Sequence, residues 1–223
     1  DDVRNSLIDS YLRFVDLVMP DSLLFENVKG FTQPFNNCAE DNQGKNYSKY
    51  ILEELRSRGY LVEAKMLDFS KYGVPQRRIR FILFASKTIN PEVFFATLSS
   101  NVQAFVQSRK IPRKVSLKSA ISDLERAHGQ QACPDSPGFM SGQYGSPQTS
   151  YQRYCRNGAR KGLVPNSHRF ARHRDNTVTR FQELLEMGVR DQNISWLLGK
   201  QYNIKKNCFS VLSANLPSPT LTS

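Results

Sequence analysis

The segment Arg78–Ser86, RIRFILFAS, constrains the fold most: a cluster of cations runs straight into an apolar stretch of strand length. Just ahead of it Tyr60–Leu67 alternates as a strand does, and the loop Asp68–Pro75 joins the two. Strands joined this closely are expected to pair as an antiparallel hairpin at a sheet edge.

The flanking segments supply helices. Val3, Leu7, Ile8, Tyr11, Leu12, Phe14, Val15 and Val18 recur at helical spacing over residues 3–18, and Met19-Pro20-Asp21 ends that helix. Leu23–Glu26 is expected to be a short buried strand, and residues 31–45 a polar loop. Tyr47–Ser57 spells a second amphipathic helix, closed by Gly59. Strand, helix and strand in alternation argue for an α/β sheet with helices on its faces. After residue 87 the character changes. Pro91–Val106 is expected to be a helix, and Val115–Glu125 a short strand feeding a helix with Ser116 or Ser119 as its cap. Residues 128–167 are rich in Gly, Ser, Pro, Gln and Tyr with little periodicity, and Thr177–Met187 is again helical. Residues 1–90 thus form part of a catalytic-type α/β domain, and 91–212 a second, irregular, basic region.

Thirty-nine per cent of the 223 residues are hydrophobic, enough for a real core. Lys and Arg outnumber Asp and Glu by 31 to 20, a net charge of +11 that suits a polyanion such as nucleic acid or an anionic membrane surface. A merely solvated basic surface accounts for the same count. No apolar run approaches the length needed to span a bilayer, and the acidic start DDVRNSLIDS is unlike a secretory signal. Cys38, Cys133, Cys155 and Cys208 lie far apart with no CxxC pair, which argues against a zinc site or a disulfide framework. Reduced thiols fit a cytosolic or nuclear compartment. The chain opens inside a helix and stops at LPSPTLTS, so it reads as incomplete.

Two polar groups stand where apolar ones are expected. LLFENVKGF, residues 23–31, takes a buried strand into Glu26-Asn27, and a buried carboxylate is costly unless paired or used. In a strand, Gln76, Arg78 and Arg80 share one face and present an amide and two guanidinium forks in a row. Beside Glu26 such a row makes a pocket of mixed charge able to read the edge of a pyrimidine. Equally, the arginines could pair with surface acids while Glu26 merely ends a strand.

Glu26-Asn27-Val28 followed by YGVPQRRIRFILFAS resembles the C5-cytosine DNA methyltransferase family of bacterial type. In that family a Glu-Asn-Val tripeptide ends a central strand, and a Gln-x-Arg-x-Arg segment follows a Tyr-Gly-Val/Ile-Pro loop. The opening helix and strand, KVSLKSAISDL, SYQRYCRNG and the terminal LPSPTLTS are also similar to family segments. The resemblance implies a partial Rossmann-like, S-adenosylmethionine-dependent methyltransferase sheet followed by a smaller, irregular target-recognition region. Residues 213–223 would begin the late Thr-containing motif that returns to the catalytic domain.

The chemistry implied is attack of a cysteine thiolate on C6 of a flipped cytosine, followed by methyl transfer to C5. Glu26, Arg80 and Arg78 would act directly: Glu26 on N3 and the exocyclic amine, Arg80 on the base carbonyl, Arg78 near the target phosphate. Asn27, Val28 and Gln76 would support the pocket. Asn5, Ser6 and Leu7 would approach the methyl donor, and Arg169, Arg172, Arg174 and Thr220 would contact duplex DNA. His173 shares the basic run, while His168 and His173 lack metal-ligand spacing. Tyr144, Tyr151 and Tyr154 either stack on bases or pack the small domain, and Trp196 belongs to a core.

The sequence departs from the family in lacking its Pro-Cys nucleophile motif and its Phe-x-Gly-x-Gly donor turn. The expectation is therefore an internal segment of a monomeric bacterial enzyme, cytoplasmic and paired with a restriction endonuclease, inactive alone. Methylation of tRNA on the same fold, or a non-catalytic DNA-binding remnant, are the alternatives.

Overall fold

The computed structural model describes residues 6–33, 46–190, 192, 194 and 211–220. In chain order the helices and strands are α1 (Ser6–Val18), β1 (Ser22–Val28), α2 (Tyr47–Ser57), β2 (Leu61–Asp68), β3 (Gln76–Arg77), β4 (Ile79–Ser86), α3 (Pro91–Ser108), α4 (Leu117–Ile121), β5 (Gln130–Ala132), β6 (Met140–Gly142), α5 (Ser150–Arg156), α6 (Asp175–Glu186) and β7 (Ser218–Pro219). They fall into two compact units. The first is Asp1–Phe69 with Arg78–Phe105, the second Ser70–Arg77 with Val106–Ser223.

The first unit is built on a three-stranded sheet in the order β1-β4-β2. β4 runs antiparallel to both neighbours, so the hairpin expected from Tyr60–Ser86 forms. β1 and β2 run parallel to each other with β4 between them, the geometry a helical crossover through α2 provides. As the middle strand, β4 buries every residue from Phe81 to Ser86. Phe81, Leu83 and Ala85 join Ile8, Leu12 and Val15 of α1 and Ile51 and Leu55 of α2 in one core cluster. Ile82 and Phe84 face the other way, onto Phe94 and Phe95 of α3. The Phe84 and Phe94 rings stack 3.9 Å apart. The sheet is therefore covered on both faces, which is why β4 carries an unbroken apolar run.

Local chemistry sets the helix ends. Asn46 caps α2 by accepting from the Ser48 and Lys49 amides, and Gly59 leaves the helix at φ +83, a conformation that favours glycine. Arg58 then clamps α2 to α1 through both oxygens of Asp16, at 2.7 and 3.0 Å. α1 stops at Met19, whose φ is +47.

Several expectations need correction. Leu7, Phe14 and Val18 share the helical spacing of α1, yet all three are exposed while Ile8, Leu12 and Val15 are buried. β1 is an edge strand of the described sheet and alternates exposed with half-buried residues, so it is not buried and runs on to Val28. Val115 is fully buried without belonging to a strand; Ser116 directly caps α4 by accepting from the Ser119 amide. The expected strand from Arg78 begins at Ile79, because the chain changes pairing partner at Arg78. Trp196, Cys38 and Cys208 lie outside the described residues.

In the second unit β3 pairs in parallel with β7. β5 and β6 form a small antiparallel hairpin, to which Arg169 adds through a bridge to Ser141. Gly142 permits that approach, since a Cβ there would stand 2.7 Å from the His168 ring and 3.0 Å from Phe170. Helix α5 opens with a reciprocal capping box between Thr149 and Gln152. It ends on Arg156, buried in an ion pair with Asp123.

Candidate active site and nucleic-acid interface

Register places the site in the first unit. Val28 lies opposite Arg80 and Glu26 opposite Ile82. Glu26 and Arg80 are therefore diagonal neighbours on one face of an antiparallel pair, within reach of long side chains. The Arg80 Nε meets Glu26 Oε1 at 2.9 Å. The two partners differ in exposure, the Arg80 side chain being 12% accessible and that of Glu26 51%. Arg80 also donates from Nη1 to the Ile79 carbonyl at 2.9 Å, which fixes its guanidinium against its own strand. The result is a fixed cation beside a carboxylate that solvent reaches. Glu26 is thus neither deeply buried nor unpaired, unlike the strand-end carboxylate that the sequence suggests.

Asn27 lies on the opposite face of β1 and accepts the Val28 amide at Oδ1, 2.8 Å, fixing the turn after Glu26. Val28 is exposed. Arg78 is half-buried, and its carbonyl accepts the Phe69 amide at 3.0 Å. Gln76 and Arg77 belong to the second unit, where the Arg77 carbonyl accepts the Thr220 hydroxyl at 2.8 Å. Gln76, Arg78 and Arg80 accordingly do not form one uninterrupted strand face. Asn5 lies outside the described residues, nothing is described of the Ser6 side chain, and Leu7 is an exposed apolar residue of α1. A cavity of about 430 Å³ in the same unit is lined by other residues, among them Arg56, Tyr60, Glu63 and Glu92.

Cations and aromatic rings are interleaved in the second unit. The guanidinium carbons of Arg169 and Arg172 lie 4.5 and 4.6 Å from the centroid of the same ring, Phe139. Arg126 lies 5.3 Å from Phe170, and Arg109 5.2 Å from Tyr154. Arg169, Arg172 and Arg174 are all exposed. Tyr144 lies beneath the buried Arg156 guanidinium at 4.3 Å, so its ring packs the unit. Burial, then a hydrogen bond with Cys155, holds the Tyr151 hydroxyl above its usual pKa of 10.0. His168 and His173 pack edge-on against Phe170 and Phe181. Among the described residues no group of His, Cys, Asp and Glu could hold a metal ion, and no helix is long and apolar enough to cross a membrane. Cys133 is buried and Cys155 exposed, and both are free thiols. Phe139 is the residue that sequence reasoning missed: a lone aromatic in an aperiodic Gly- and Pro-rich stretch gives no signal until its two arginine neighbours are seen.

The chain belongs to the C-5 cytosine-specific DNA methylase family, whose model matches residues 1–208. Type II methyltransferase M.DdeI of Desulfomicrobium norvegicum is 30% identical over 188 residues, covering 81% of this chain and 39% of that protein. M.NaeI of Lentzea aerocolonigenes is 34% identical over 85 residues, 38% of this chain and 18% of its own. Among solved structures, one assigned as a DNA modification methyltransferase encoded within a prophage (E. coli) matches 99% of this chain and 58% of its own. Its TM-score is 0.56 at 18% identity, a likeness of fold. The chain spans about two fifths or less of the length of these curated relatives.

Proposed function

We propose that this chain supplies the base pocket and the DNA-reading region of a DNA (cytosine-5-)-methyltransferase that draws its methyl group from S-adenosylmethionine. The observation that carries the reading is the Glu26–Arg80 pair at 2.9 Å, in a chain of this family. A cytosine offers a carbonyl oxygen, a ring nitrogen and an exocyclic amine along one edge. Arg80 donates to the carbonyl oxygen. Glu26 accepts from the amine and shares a proton at N3, so that charge building on the ring during attack at C6 is met by a fixed cation and a proton. The half-exposure of Glu26 suits this role, because the base must reach its carboxylate. Arg78 lies two residues before Arg80 and serves the target phosphate, while Asn27, Val28 and Gln76 hold the surrounding backbone. Asn5, Ser6 and Leu7 are the proposed approach to the donor, which supplies the methyl group.

Arg169, Arg172, Arg174 and Thr220 contact the duplex, and the excess of cations supplies salt-dependent affinity. In domain terms, residues 1–90 are the catalytic part, 91–212 the connection and recognition region, and 213–223 the return. The proposed setting is a monomeric, cytoplasmic enzyme paired with a cognate endonuclease.

The test uses the full-length protein with labelled donor on duplex DNA and on tRNA. Glu26→Gln should lower turnover on DNA by roughly 10²- to 10⁴-fold while leaving DNA affinity within about threefold. Near-wild-type turnover in that variant would overturn the pocket assignment, and labelling of tRNA alone would overturn the DNA reading.

A further inference from the structure

Seven residues, 133–139, close the hairpin between β5 and β6, and the loop they form is well held. The Cys133 amide donates to the Phe139 carbonyl at 2.8 Å, and the Phe139 amide to the Ser136 carbonyl at 3.2 Å. The strand-like segment after Ser167 lies alongside, with the Phe170 amide donating to Met140 at 2.9 Å. This places Arg169 and Arg172, three residues apart, at one ring.

Both cations sit within 4.6 Å of the Phe139 centroid, and neither makes an ion pair among the described residues. Two like charges at one ring are favoured when an anion or a lone-pair-rich edge answers them. Their remaining bonds differ. Arg169 gives one N–H to the Ser136 hydroxyl at 3.3 Å. Arg172 is exposed and makes no hydrogen bond among the described residues, which leaves its donors to solvent or to a ligand. Its Nη2 would lie 3.5 Å from a Cβ at Gly138, whose φ is +78, so the bare glycine backbone flanks the guanidinium on one side as Phe139 does on another. A phosphate asks of a cation mainly charge. A guanidinium held in orientation with two parallel donors free matches the O6 and N7 acceptors of guanine in the major groove.

Resting on the methyltransferase reading above, we propose that Arg172, oriented by Phe139, reads one guanine of the recognition sequence, with Arg169 holding the adjacent phosphate. Phe139 is then a positioning residue for specificity.

The experiment expresses the full-length protein and Arg172→Lys and Phe139→Leu variants in a host lacking cytosine methylation, then maps methylated cytosines by bisulfite sequencing. Lysine keeps the charge and removes the fork. The wild-type motif should contain a guanine whose preference over other bases falls roughly ten- to a hundredfold in Arg172→Lys, with every other position unchanged. Phe139→Leu should relax the same position, and Phe139→Tyr, which keeps the ring, should restore it. An unchanged motif in Arg172→Lys would overturn the inference and make Arg172 a phosphate contact. Relaxation at every position alike would overturn it too, as a loss of fold. A wild-type protein that methylates no cytosine overturns the methyltransferase reading and this inference with it.

Discussion

Arg156→Leu should unfold the second unit well below the wild-type temperature. The Arg156 and Asp123 side chains are each 4% exposed. Arg156 donates to Asp123 Oδ2 from Nε at 2.7 Å, and from Nη2 both to that oxygen at 2.6 Å and to the Gly145 carbonyl at 2.7 Å. Leucine fills much of the space. It leaves a buried carboxylate without a cation and a carbonyl without a donor. Removing one partner of a buried pair costs about 3–5 kcal/mol. For a unit of this size each kcal/mol is worth about 3–5 °C, so the transition should fall by about 10–20 °C. Limited proteolysis of the full-length protein during a thermal ramp would follow the cleavage of residues 106–190. The double variant Asp123→Leu/Arg156→Leu is the deciding control. With both charges gone, most of the loss should return, since an apolar pair of similar volume often replaces a buried ion pair at little cost. A drop of under about 3 °C in the single variant, or a double variant no better than the single, would refute the reasoning.

Two further outcomes follow from the geometry. The hydrogen bond from Arg58 holds the Asp16 carboxyl below its usual 3.8, so this clamp contributes its full stability above that value and loses it as pH falls through the lowered one. Acid-unfolding curves of wild type and Asp16→Asn should therefore differ most above about pH 4 and draw together as pH falls; a gap that did not change with pH would contradict this. Gly142→Ala should push the His168 and Phe170 rings off β6 and destabilise the hairpin by about 1–3 kcal/mol, which hydrogen exchange at the Phe170 amide would register as lost protection.

What the sequence discloses about this fold depends on how much of each element is buried. β4 is legible because both its faces are covered, leaving an apolar run with no alternation to misread. α2 is legible because its spacing is amphipathic and Gly59 marks its end. α1 misleads, since Leu7, Phe14 and Leu17 add apolar residues to its exposed side. β5 and β6 have three residues each, too few for any period to register. The capping box of Thr149 and Gln152 announced α5 locally, but the surrounding Gly, Ser and Pro hid it. At the site, Glu26 and Arg80 could be singled out as misplaced polar groups. Their distance could not, because it depends on a pairing register that no local pattern specifies.

That register also explains why the site can be as polar as it is. Side chains alternate with a period of two, so a one-residue slip of β4 against β1 would turn Phe81, Leu83 and Ala85 out of the α1–α2 core and Ile82 and Phe84 out of the α3 face. Such a slip is prohibitive. Leu83 and Ala85 are fully buried, and full burial of one large aliphatic side chain is worth about 1.5–3 kcal/mol. The ion pair at the other end of the strand contributes far less, because half of the Glu26 side chain remains in water. The core therefore sets the position of Glu26 against Arg80, rather than the charges setting the strand. A pair held by distant packing can exchange its mutual contact for contacts to a base without loosening the sheet. That property suits the proposed pocket, in which the two polar groups would face each other when empty and a cytosine edge when filled.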